Sequence, residues 1–155
     1  MLSLFKKKKK EEVTSPIDGE VIELNQVSDP VFSEGMMGPG FAVIPNSDTI
    51  FSPITGVVTN IFPTKHAITI EGKDCSVLVH IGIDTVDLGG EGFQIKVTEN
   101  QKVNQDTILA TYDRDFIKSK GKEDTVMVLF PEMSDTFTIK VGPSRHGDGL
   151  IHFLK

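Results

Sequence analysis

The chain reads as an all-β protein, a sandwich or barrel with at most short helical turns. Two observations predict this. Short apolar or alternating runs recur at 17–24, 41–45, 54–62, 66–70, 77–83, 107–112, 125–130, 136–141 and 149–154, with Gly, Pro, Asn and Asp clustered between them. No stretch sustains the period of a long helix, and the best candidate for a helical turn, Asp113–Lys120, is short. Many short strands bury their apolar faces only by packing sheet on sheet or closing on themselves. With 155 residues the chain suits one domain with a substantial core, expected over 13–155.

Residues 1–12 (MLSLFKKKKKEE) read as a flexible basic tail rather than part of the fold. Leu2, Leu4 and Phe5 ahead of Lys6–Lys10 offer peripheral contact with an anionic membrane surface, where each lysine contributes about 1 kcal/mol. Glu11 and Glu12 offset part of that charge, so a solvated terminus is the plainer reading. The apolar residues precede the charges, the reverse of a secretory signal, and no run approaches the length of a membrane helix. The expected location is cytoplasmic.

An internal echo follows. Ser15-Pro16-Ile17-Asp18-Gly19-Glu20-Val21 recurs as Ser52-Pro53-Ile54-Thr55-Gly56-Val57-Val58. Proline suits a strand start and glycine a turn or bulge, so each copy reads as a strand entry, and the pair as two similar β-units packed together. Between them, Val31–Gly40 is punctuated as a loop yet carries Val31, Phe32, Met36 and Met37. Apolar residues in a loop either plug the core or make an adaptable contact surface, and the residues leave both open. Phe62 suits the same surface.

Two histidines dominate what comes next, in FPTKHAITIEG (62–72) and SVLVHIGIDTVDL (76–88). Strand alternation points Val77, Val79, Ile81 and Ile83 one way and Leu78, His80, Gly82 and Asp84 the other. His80 then shares a face with a carboxylate, with a glycine between them leaving room for a ligand near the backbone. If the segment 62–72 is a strand as well, Thr64, His66 and Ile68 share a face, and the short turn Glu71–Ser76 could bring the two rings together. A lone histidine in a β-rich protein is most often structural, but two on neighbouring strands with a hydroxyl, a glycine and a carboxylate read as a site. His146 and His152 lie near the glycine-rich stretch Gly142–Gly149 and read as surface residues.

Composition narrows the function. The formal net charge of −6 argues against a general nucleic-acid binder. The single cysteine, Cys75, permits neither an intramolecular disulfide nor a thiolate metal cluster.

The motifs DPVFSEGMMGPGFAVIP (29–45), FPTKHA (62–67) and VHIGIDTVDLGGEGF (79–93) resemble the glucose-type IIA component of the bacterial phosphoenolpyruvate-dependent sugar phosphotransferase system. The resemblance is good over roughly residues 15–115 and weaker over 116–155, where GPSRHGDG (142–149) departs from it. It implies an antiparallel β-sandwich and a IIA type-1-like domain over 13–155. It further implies a phosphoryl carrier whose reactive histidine is His80, phosphorylated on Nε2, with His66 as the second active-site histidine and Thr64 as its hydroxyl partner. The carbonyl of Gly82 is the expected acceptor for Nδ1–H of His80. Asp84 matches the family's acidic residue, holding nearby groups or meeting a cationic partner. Val31, Phe32, Met36, Met37, Phe62 and Leu78 would form the docking rim. The implied partners are the phosphocarrier HPr as donor and the cysteine of a IIB domain as acceptor, for a free-standing IIA protein, with regulatory protein targets when unphosphorylated. No cofactor is required; in the family zinc can sit between the two histidines, here His66 and His80, with a carboxylate from a partner.

Three rivals are weaker. A zinc hydrolase of the β-sheet endopeptidase type shares His80-x-x-x-Asp84 but needs a His-x-His pair that is absent. A biotinyl or lipoyl carrier needs a hairpin lysine beside methionine, and Met36-Met37 is followed by glycine. A regulatory binding protein on the same scaffold would not need the intact set of His80, His66 and Thr64.

Overall fold

The structure, a computed structural model, describes residues 12–133 and 136–154. The nine expected runs each hold a strand: β1 (Gly19–Glu23), β2 (Gly40–Pro45), β4 (Gly56–Ile61), β5 (Ala67–Gly72), β6 (Ser76–Ile83), β9 (Ile108–Tyr112), β10 (Glu123–Leu129), β11 (Thr136–Ile139) and β13 (Ile151–Leu154). Four further strands of two or three residues went unread in the sequence because they are too short to show a period: β3 (Thr49–Phe51), β7 (Phe93–Ile95), β8 (Lys102–Val103) and β12 (Gly142–Ser144). Among the described residues all strand pairings are antiparallel. An eight-stranded sheet runs β12-β1-β2-β10-β6-β5-β4-β8, beside a three-stranded sheet β3-β9-β7 and the pair β11-β13.

One face of the large sheet closes the core. Val21, Val43, Val58, Ile68, Ile70, Val77, Val79, Ile81, Val126 and Val128 project from it against Ile50, Phe93, Leu109 and Tyr112 of the three-stranded sheet. Each such side chain, fully buried, stabilises the fold by about 1.5–3 kcal/mol, so this sheet-on-sheet layer is the main source of stability. The opposite face carries a smaller apolar cluster: Leu24, Phe32, Ala42, Ala67, Leu78, Ile83, Met127 and Leu129. The histidines stand on that second face.

The sequence echo is a structural repeat. Ser15 Oγ donates to the Ile17 carbonyl at 2.9 Å and Ser52 Oγ to the Ile54 carbonyl at 2.6 Å, both serines wholly buried. Gly19 and Gly56 each lie so close to the neighbouring strand's carbonyl, of Ile44 and Glu71, that no Cβ fits. The two copies are joined by Thr14 N–H to Pro53 O (2.9 Å) and Phe51 N–H to Pro16 O (2.7 Å).

The expected helical turn forms as α2 (Arg114–Ser119), capped by Asp113, whose carboxylate accepts from Phe116 N–H at 3.0 Å. A second helix was missed: α1 (Pro30–Ser33) occupies the start of the expected loop. Its signal is present in the sequence, since Asp29 caps the Val31 N–H at 2.9 Å and Pro30 takes the first helical position. Among the described residues no helix is long and apolar enough to cross a membrane. The lysine run and its apolar neighbours lie outside the described residues.

Candidate functional site

His80 comes from the middle of β6, between two strands. It pairs with Ala67 of β5 on one side and Met127 of β10 on the other. Residues directly opposite share a face, so the imidazole rises from the second apolar surface beside these two. Alternation holds as expected through Ile81 and then fails. Gly82 takes φ +83°, and β10 carries an extra residue opposite this point, a bulge between Glu123 and Val126. Ile83 therefore joins the cluster of Leu78 instead of the main core. Asp84, itself at φ +64°, is exposed at the start of a 3-10 turn, Thr85–Leu88. The expectation that it continues the face of His80 is overturned by this break in the strand.

Gly82 serves a different end from the one its size implies. It is buried, and a Cβ there would overlap the Thr85 methyl and come within 2.9 Å of the Glu123 carbonyl oxygen, so no ligand space opens beside it. Its positive φ instead swings its carbonyl back to the ring two residues earlier, where His80 Nδ1 meets it at 2.9 Å. A carbonyl only accepts, so Nδ1 carries the proton and Nε2 keeps its lone pair.

His66 lies just before β5, not within it. Lys65 N–H bonds Phe62 O at 2.7 Å and Phe62 N–H bonds Ala67 O at 3.0 Å, and Lys65 takes φ +63°, which makes 62–67 a tight reversal. That reversal, rather than strand alternation, sets the geometry. Ile68 faces the main core and Ala67 the site, so Ile68 does not share the face of Thr64 and His66 as an extended segment would require. Thr64 and His66 still meet, Oγ1 to Nδ1, at 2.7 Å. The His66 carbonyl accepts Ile81 N–H at 2.6 Å, binding the turn to β6. The two rings stand edge to face with centroids 5.0 Å apart.

Aromatic neighbours enclose the pair. Phe32 of α1 lies 4.8 Å from the His80 ring, and Phe62 lies 5.6 Å from that of His66. Burial lowers the His80 pKa to about 4, helped by the nearby His66 and opposed by the bond to Gly82 O and by the charge of Asp29. His66, only 5% exposed, is also lowered by burial, opposed by a hydrogen bond to the Thr64 backbone. Both rings are therefore neutral at pH 7. The carboxylate acting on His80 is Asp29, which sequence reasoning missed because its cap role and its approach to His80 depend on how α1 folds back.

The expected docking set divides. Val31, Met36 and Met37 are exposed, Met36 by 71%. Phe62 is half-buried. Phe32 and Leu78, each 6% exposed, form the floor beneath the histidines and not a rim, because both pack into the second apolar cluster. His146 is less solitary than expected: it stacks on Phe51 at 3.8 Å, and its backbone N–H donates to Asp18 at 2.8 Å. Among the described residues no three His, Cys, Asp or Glu side chains converge as a metal-binding group. His66 and His80 supply at most two nitrogens, and a metal between them would need its further ligands from another molecule.

The family described as the phosphoenolpyruvate-dependent sugar phosphotransferase system, EIIA 1, matches residues 11–136. The glucose-specific EIICBA component of Streptococcus pneumoniae is 50% identical over 121 residues, 77% of this chain and 17% of that protein. The glucosamine-specific EIICBA component of Bacillus subtilis is 45% identical over 121 residues, 77% of this chain and 19% of that protein. This chain thus spans less than a fifth of the length of those relatives. The solved glucose permease IIA of Mycoplasma capricolum superposes with a TM-score of 0.87 at 37% identity, over 92% of this chain and 96% of that one, and shares the antiparallel sandwich. The histidine pair thus stands on a known scaffold, and the chain belongs to the EIIA 1 family, as a phosphotransferase component of the phosphoenolpyruvate-dependent sugar phosphotransferase system.

Proposed function

We propose that this chain accepts a phosphoryl group on Nε2 of His80 from the phosphohistidine of HPr and passes it to the cysteine of a IIB domain, in the cytoplasm, during sugar uptake. The observation that carries this is the bond from His80 Nδ1 to Gly82 O, which leaves Nε2 as the nucleophilic atom. In the first step the P–N bond to the donor breaks as the P–Nε2 bond forms. In the second the IIB thiolate attacks phosphorus, a P–S bond forms, and the electron pair of the breaking P–N bond returns to Nε2. His80 holds its Nδ1 proton throughout.

Such a transition state is loose, so the protein's task is positioning and charge stabilisation. In the tautomer this role requires, the Thr64 hydroxyl, 2.7 Å from Nδ1, donates to it, and His66 carries its proton on Nε2 as an N–H donor to the phosphoryl oxygens. The arriving dianion raises the pKa of His66 and strengthens that donor. Exposed Val31, Met36 and Met37, with Phe62, form an apolar rim that excludes water when a partner docks. Asp29, close enough for its charge to act on His80, gives that rim negative charge suited to a cationic partner. The relatives named for glucose and glucosamine support a sugar of that hexose class, which the IIA chain itself would not touch. The carrier chemistry uses no cofactor. Zinc between His66 and His80 would be regulatory and would require a partner's carboxylate.

The test is intact mass after incubation with phosphoenolpyruvate, enzyme I and HPr. One acid-labile phosphoryl group, absent in His80→Ala, is expected. Labelling of His80→Ala at another histidine would refute the assignment.

A further inference from the structure

Thr85 is wholly buried and opens the 3-10 turn just after β6, so it presents no surface of its own to an arriving phosphoryl group. Its side chain nonetheless meets the backbone that governs both histidines. Oγ1 donates to the Ile81 carbonyl at 2.6 Å, four residues back. The N–H of the same Ile81 donates to the His66 carbonyl at 2.6 Å. Its methyl lies against Gly82 on the side where a Cβ would stand, with the Glu123 carbonyl oxygen also close to that position. The Gly82 backbone is thus wedged between a methyl and a neighbouring strand, at a φ of +83° that glycine alone would not hold uniquely.

We infer that Thr85 is a positioning residue for phosphoryl transfer at His80, holding the Ile81–Gly82 backbone so that the Gly82 carbonyl stays on Nδ1 and Nε2 stays unprotonated. The hydroxyl, bonded to the carbonyl of the Ile81–Gly82 peptide, is the principal restraint, and the methyl adds a smaller limit on rotation of the glycine. Without them the carbonyl relaxes away from the ring. The proton then redistributes between Nδ1 and Nε2, and the fraction of rings with a free Nε2 lone pair falls. Through Ile81 the same brace sets the distance from β6 to the His66 turn. This deepens the carrier reading and rests on it.

Thr85→Val keeps the shape and removes the hydroxyl, Thr85→Ser keeps the hydroxyl, and Thr85→Ala removes both contacts. Nitrogen-15 NMR of the ring nitrogens at pH 7 gives the tautomer of His80, and intact mass against time gives phosphoryl acceptance from phosphorylated HPr. The wild type should hold the Nδ1–H tautomer almost exclusively. Thr85→Val and Thr85→Ala should show mixed tautomers and accept phosphate about tenfold more slowly. Thr85→Ser should restore both measures to within about twofold. A folded Thr85→Val or Thr85→Ala with wild-type tautomer and rate would overturn the inference. So would a Thr85→Ser as impaired as Thr85→Val. A wild type that takes up no phosphate would sink the carrier reading instead, and the tautomer comparison would still judge Thr85.

Discussion

Burial of His80 has a measurable consequence in the acid range. Its pKa falls from the ordinary 6.5 to about 4. At pH 5.5 an ordinary histidine is about 90% protonated and this one about 3%, so His80 remains a nucleophile where a solvent-exposed ring has ceased to be one. The same shift couples to folding. The folded state favours the neutral ring, so the contribution is fully present above the unfolded pKa near 6.5. It is lost as pH falls from there through about 4. The difference corresponds to about 3 kcal/mol. Two measurements check it. A nitrogen-15 NMR titration of the His80 ring should show a midpoint near pH 4, on a protein still folded by its amide spectrum. Chemical denaturation at pH 7.5 and pH 4 should show the wild type losing about 3 kcal/mol more than His80→Asn. A ring titrating near 6.5, with equal acid losses in both proteins, would refute the claim that the site desolvates His80.

Two further predictions concern the partner steps. His66→Ala should still accept phosphate on His80 but pass it to a IIB acceptor about a hundredfold more slowly, because the transferring group loses a positioned donor; equal single-turnover rates with and without His66 would rule that role out. Met36→Lys, at a position 71% exposed, should leave stability within about 0.5 kcal/mol while raising the KM for phosphorylated HPr, since it removes an apolar contact and repels a cationic partner; an unchanged KM would remove Met36 from the docking rim.

Much of this protein was legible from residue order alone. The nine longer strands declared themselves through period-2 apolarity, and the SPIxGxV echo through the same serine and glycine needs met twice. Asp113–Lys120 read as a helical turn and is one, its boundary set by a side-chain cap two residues of sequence can encode. His66 and His80 were visible as a pair because the turn between β5 and β6 is short enough to fix their register.

What alternation assigned wrongly was what tertiary contacts decided. Asp84 and Ile68 were placed by extending a strand rule past points where the backbone takes positive φ, at Gly82 and Lys65. Those conformations depend on packing that alternation does not see: Thr85 folded back on Ile81 and Gly82, Glu123 from a bulged neighbouring strand, and Ile81 against the carbonyl of His66. Phe32 and Leu78 went to the floor and Met36 to the surface because burial depends on which face α1 covers. Asp29 reached His80 for the same reason. A single chain encodes its local periods directly, so the fold class and the pairing of the two histidines can be read from it. The atom of His80 that is free to react follows from a carbonyl direction, and only the packed backbone sets that.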